Sequence, residues 1–143
     1  MYKHTQIAWP VFTLGSIAII ILLYYAIHYY YWWPILVSLF VLTICVILFS
    51  SLTIIVDNDL LRIRFTGGLI RREFKLKDIV SCKSVKNPWW YGFGIRKIPK
   101  GWLFNIYGTK AIEISMKDGR VYRIGTDEPD ELKELITRKL SGE

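Results

Sequence analysis

Hydrophobic and polar positions divide the chain into a charge-free front and a charged, alternating rear. From His4 through Val56 there is no Lys, Arg, Asp or Glu. Within that stretch Ile7 to Ile27 is a largely apolar run of 21 residues and Ile35 to Leu52 one of 18. A bilayer core requires ~20 helical residues at ~1.5 Å each. Neither run has a charged face with which a soluble helical hairpin would meet water. The pattern therefore predicts two membrane spans, about 7–27 and 35–52, the second near the lower length limit. Between them lies His28-Tyr29-Tyr30-Tyr31-Trp32-Trp33-Pro34. Its amphipathic rings suit the headgroup level, and its proline suits a first helical turn, so a tight interfacial hairpin is expected. The first run exceeds the ~7–15 residues of a signal-peptide core and is read as a retained span. Gly15, Ser16 and Ala18 offer a weak small-residue signal for helix contact.

Behind Ser51 the period changes to two. Leu61, Ile63 and Phe65 alternate with Arg62 and Arg64, after a turn at Asp57-Asn58-Asp59 and before one at Gly67-Gly68, which predicts a strand. Phe74 and Leu76 alternate with Glu73 and Lys75 in the next segment, with Arg72 in phase with the apolar side. An irregularity or a sheet edge must accommodate that arginine. Ile79 to Val85 and Trp102 to Tyr107 read as further strands. Ile112, Ile114 and Met116 lead through Asp118-Gly119 into Val121 to Ile124, a clear hairpin pattern. After Gly125 the spacing of Leu132, Leu135, Ile136 and Leu140 is helical, with Asp127 and Glu128 as capping candidates and Pro129 in the first turn. The predicted organisation is a helical hairpin over 1–52 and an α+β domain over 53–143.

Charge gives the arrangement a direction. Lys3 is the only basic residue before Asp57, which leaves 18 basic and 12 acidic residues behind it, a net +6. The predicted hairpin carries none of them, so both termini are expected on the cytoplasmic side of the inner membrane, with the protein multi-pass. Cys45 and Cys82 have neither disulfide-framework nor metal-ligand spacing. The two histidines, His4 and His28, lie outside the rear domain, and no phosphate loop or dinucleotide motif is present. Asp127, Glu128, Asp130 and Glu131 open a helix, where carboxylates suit the dipole. No catalytic residue, cofactor or metal is assigned, and a nonenzymatic role is expected.

The segment from Lys86 to Trp102 is the most distinctive. It joins Trp89, Trp90, Tyr91 and Trp102 to Lys86, Arg96, Lys97 and Lys100. Such a set suits anionic headgroups or a protein partner, or else a loop folded back so that its tryptophans cap the core. Nucleic acid ranks below these, because the cations are spread over several strands.

The stretch Asn87-Pro88-Trp89-Trp90-Tyr91-Gly92-Phe93-Gly94-Ile95-Arg96, then Pro99 to Asn105, Asp118-Gly119-Arg120 and Ile124 to Asp127 resembles bacterial pleckstrin-homology-like membrane proteins, over roughly Thr53 to Leu140. The resemblance implies a bent seven-stranded antiparallel sheet closed by one C-terminal helix. It also implies a binding role rather than a reaction. Eukaryotic relatives that bind phosphoinositides use a basic first-to-second-strand loop, and the matching turn is read here as the acidic Asp57-Asn58-Asp59. The expected function is a membrane-anchored binding or scaffolding module, and the alternative is a self-assembling structural subunit of a membrane complex.

Overall fold

A computed structural model describes residues 1–30 and 32–142. The elements run β1 (Tyr2–Ile7), α1 (Trp9–His28), α2 (Trp32–Leu48), β2 (Ser51–Val56), β3 (Leu60–Phe65), β4 (Ile70–Lys75), β5 (Ile79–Lys86), β6 (Gly94–Ile98), β7 (Gly101–Asn105), β8 (Lys110–Met116), β9 (Val121–Gly125) and α3 (Pro129–Ser141). Strands β1-β2-β3-β4 form one sheet and β5-β8-β9-β7-β6 the other. The expected single seven-stranded antiparallel sheet is thus replaced by sheets of four and five strands, and β7 runs parallel to β9.

Two strands account for the difference. β1 has an inverted pattern, with Gln6 buried and Ile7 exposed, so alternation does not reveal it. β6 begins at Gly94, is flanked by Gly92 and Gly101 and reads as loop. β1 pairs with β2 along its whole length, from Tyr2 opposite Val56 to Ile7 opposite Ser51. The Ala8 amide extends the ladder by donating to the Ser50 carbonyl at 2.9 Å. The two helices therefore occupy the connection of a β-hairpin. The boundary expected at residue 52 does not separate the elements, because Tyr2–Ile7 and Ser51–Leu52 belong to the four-stranded sheet.

α1 is long and apolar enough to cross a membrane, while α2, at 17 residues, is shorter than the span expected over 35–52. The helices touch through a narrow seam. Gly15 is the buried residue of α1, and a Cβ there would lie 2.5 Å from Val46 Cγ2, so the glycine permits the close approach. Ser16 instead donates to the Phe12 carbonyl at 2.7 Å. Outside the seam Phe12, Leu14, Ile17, Ile20, Phe40 and Val41 are exposed.

The core lies between the sheets. Leu61, Ile63 and Phe65 of β3 meet Phe104, Ile112, Ile114 and Ile124 of the second sheet, and Leu132 and Ile136 of α3 close one side. Each fully buried Leu or Ile is worth ~1.5–3 kcal/mol relative to exposure. α3 ends in Gly142 at φ 79°, a left-handed turn suited to glycine.

Candidate functional site

The segment that links β5 to β6 is fastened to the outer face of the second sheet. Asn87 donates its amide to the Thr109 carbonyl at 2.6 Å and accepts from Arg123 Nη1 at 3.1 Å. Arg123, 9% exposed, also donates to Glu113 Oε2 at 2.8 Å and lies 5.7 Å from the Tyr91 ring centre. This chain of a charge-assisted bond, an amide and an aromatic face holds the segment in place. Gly92, at φ 67°, then reverses the backbone, and Arg96 Nη1 donates to the Tyr91 carbonyl at 3.4 Å.

The tryptophans do not cap the core. Trp89 is 82% and Trp90 65% exposed, in a single 3-10 turn, Trp89–Tyr91. Their rings meet edge to face at 6.0 Å. Asn87 and Tyr91 do the packing, and the indoles are left in solvent.

Immediately beyond, Phe93, Gly94 and Ile95 reach the helix pair. With Leu14, Ala18, Leu42 and Val46 they line an open groove of about 550 Å³. β6 is consequently the helix-proximal edge of the second sheet, and it carries Arg96 and Lys97, both exposed. Lys100 follows in the turn to β7. Lys97 stands opposite Trp102 in the β6–β7 register. Trp102 lines a second cavity of about 340 Å³, with Phe104, Tyr122, Arg71, Arg72 and Ile95.

The eight residues singled out from sequence therefore fall into three places. Trp89, Trp90, Tyr91 and Arg96 share the anchored turn, and Lys97, Lys100 and Trp102 belong to the β6–β7 hairpin. Lys86, the last residue of β5 and exposed, stands opposite Lys110 and shares a hollow with the acidic start of α3. Phe93, Arg71 and Arg72 were missed, although the phase of Arg72 in its strand was a usable signal. That arginine sits opposite Ile63 on the edge strand β4.

The opposite flank is tied by side chains. His4 Nε2 lies 2.6 Å from Asp127 Oδ1 and its Nδ1 3.3 Å from Glu128 Oε2. Tyr2 donates to Glu128 Oε2 at 3.1 Å, and burial together with that carboxylate pushes its phenol well above the ordinary range. Glu128 occupies the N-cap position, but its side chain makes no cap hydrogen bond, because it faces β1 instead. The expected capping roles of Asp127 and Glu128 are thus replaced by contacts to the N-terminal strand. Burial also pushes the Cys82 thiol up to about 11, which keeps it a protonated, packed group at neutral pH. Among the described residues no group of three or more His, Cys, Asp or Glu side chains is arranged to hold a metal ion.

No protein-family model and no curated protein matches the chain.

Proposed function

We propose that the protein is a nonenzymatic, membrane-anchored binding module whose β domain meets anionic lipid headgroups at the cytoplasmic face of the inner membrane. The observation that carries the reading is the outward pair Trp89 and Trp90, held by Asn87, Tyr91 and Arg123 beside the helix-proximal strand β6. Indole rings partition to the headgroup level, and Arg or Lys near an anionic leaflet contributes ~1 kcal/mol each. Arg96, Lys97 and Lys100 supply that charge.

Both helices enter the bilayer in this reading. Pairing of β1 with β2 keeps the two domain-side ends of the helix pair together, so a chain that crosses in α1 returns in α2. At ~1.5 Å per residue α2 reaches ~26 Å, slightly short of a ~30 Å core, and its flanking Trp32 and Trp33 suit the interface. The uncharged connection lies on the outside and the basic domain within. The pleckstrin-homology-like resemblance is part of the same proposal. Without the β6–β7 hairpin, seven strands and one closing helix remain, the number it implies. The first strand is then β1, and the helix pair stands in the first-to-second-strand connection.

The test uses the full chain in proteoliposomes, with Cys45 and Cys82 replaced by alanine and a polarity-sensitive dye on Trp89→Cys. Emission shifted to the blue in anionic relative to neutral liposomes, with the shift reduced by salt, is the expected result. A dye that reports water in both liposomes would end the surface reading and favour the alternative of a self-assembling subunit. That alternative draws on the unpaired outer edge of β6 and on the exposed apolar helix faces.

A further inference from the structure

We infer that the helix groove and the cleft between the sheets form one site for a single anionic phospholipid, with its acyl chain along α1 and α2 and its phosphate at Arg71 and Arg72. The inference rests on the membrane-facing reading above and names the ligand of that face.

Three features point to this occupant. The first is continuity. Ile95 lines both cavities, so the apolar groove beside Leu14, Ala18 and Leu42 and the space between β4 and β7 meet at one side chain. The volumes, about 550 and 340 Å³, lie in the ~300–1,000 Å³ range of ligand pockets. The second is polarity. The helix groove is walled by aliphatic and aromatic groups, and charge appears only at the far end, where Arg71 and Arg72 stand beside Trp102 and Tyr122. An amphiphile has the same distribution.

The third is unmatched charge. Arg72 sits opposite Ile63 in the sheet register, and Arg71 sits opposite Arg64. Like charges directly opposite one another repel. Glu73, Asp78 and Asp118 line a hollow on the other side of the two arginines, where Glu73 is engaged by Arg62 at 3.2 Å and Asp118 by Arg120 at 3.5 Å. Among the described residues no ion pair includes Arg64, Arg71 or Arg72. An inward charge on an edge strand also discourages edge-to-edge pairing. That role requires neither a second arginine beside it nor an apolar groove that adjoins the same cavity at Ile95. A phosphate diester in the cavity that both residues line would accept charge-assisted hydrogen bonds, from Arg72 on the inner face of β4 and from Arg71 reaching round the free edge of the strand. The bilayer beside α1 is the source of the chain, because a water-soluble phosphate would leave the groove unfilled.

The decisive measurement is native mass spectrometry of the full chain, delipidated in detergent and then given phosphatidylglycerol or diacylglycerol with the same acyl chains, the second lacking the phosphate. The expected result is one retained phosphatidylglycerol, preferred by about tenfold or more, the factor that corresponds to one charge-assisted hydrogen bond. The R71Q/R72Q variant should lose that preference. Ile95→Trp, which fills the junction of the two cavities, should lower retention of both lipids, with circular dichroism used to verify the fold. Glycerol phosphate without acyl chains should not compete.

Equal retention of the two lipids by the wild-type chain, unchanged preference in R71Q/R72Q, or full competition by glycerol phosphate would each overturn the inference. Trp89→Ala/Trp90→Ala should keep the bound lipid, since those rings line neither cavity. If the dye at position 89 responds to anionic liposomes while R71Q/R72Q binds as the wild type does, the lipid site is wrong and the surface stands. A dye that stays in water removes the surface on which the inference rests.

Discussion

Along the β1 edge of the sandwich the polar side chains meet partners, and along the β4 edge they do not. Tyr2 and His4 reach Glu128 and Asp127, and Gln6 donates to the Tyr107 carbonyl. Across the molecule Arg64 and Arg71 face each other, and Arg72 opens onto a cavity. The first flank has the composition of a structural closure, its side chains tied to the start of α3 and to the Tyr107 carbonyl, with Gln6 Oε1 alone among them buried without a partner. The second leaves charge uncompensated, which costs stability and is a common mark of a binding edge. The difference separates residues tied to other elements of the domain from arginines without an ion-pair partner among the described residues.

The largest expected effect concerns the closure. Deleting Tyr2–Ile7 from the full chain strips the partner from β2 and removes the contacts to α3. We expect loss of cooperative unfolding, at a cost of several kcal/mol against a typical margin of ~5–15 kcal/mol. Replacing residues 9–49 by Asn-Gly should have the opposite outcome. Ala8 already bonds to Ser50, so a two-residue turn completes an ordinary hairpin. Thermal melts followed by circular dichroism compare the two. Cooperative melting of the β1-deleted chain would show that the paired flank does not hold the domain.

A smaller loss is expected inside the anchored turn. Glu113→Gln leaves the Arg123 guanidinium, at 11% side-chain exposure, without its countercharge. Removing one member of a buried pair costs ~3 kcal/mol or more. Arg96→Gln should move the denaturation midpoint little, because Arg96 is exposed and its bond to the Tyr91 carbonyl is long. If the two variants unfold at the same urea concentration, the distinction between anchoring and presenting residues within this segment fails.

Much of this architecture is legible in the chain, and the exceptions share a cause. β3, β8, β9 and α3 announce themselves because apolar periodicity coincides with one buried face. β1 hides because its buried side carries Gln6 and His4, whose partners, Tyr107, Asp127 and Glu128, lie more than a hundred positions away in sequence. The anchored turn is visible as an unusual cluster of aromatic and basic residues. Its outward tryptophans are not predictable, because whether Trp89 or Tyr91 packs inward depends on Arg123 and Asn87 meeting across the sheet. The arginines of β4 were legible only as a violation. Arg72 breaks the alternation that Phe74 begins, and such breaks arise where a fold serves something other than its own stability.

The smallest expected effect bears on that violation most directly. Arg71→Gln removes one of two like charges in direct cross-strand opposition, a repulsion worth ~0.2–1 kcal/mol. The variant should therefore be slightly more stable than the wild-type chain at low salt. The gain should fade as ionic strength rises, because at ~0.1 M the screening length is ~10 Å. Glu73→Gln, one register position away, removes the partner of Arg62 and should change stability by a similar amount in the opposite direction. Added phosphatidylglycerol should then reverse the order, since bound phosphate stabilises only the chain that keeps both arginines. Urea midpoints of the full chain in detergent, with and without lipid and at two salt concentrations, measure all of these terms. A lower midpoint for Arg71→Gln without lipid would mean that the β4 edge is not strained. The contrast between the two flanks would then be one of exposure rather than of charge.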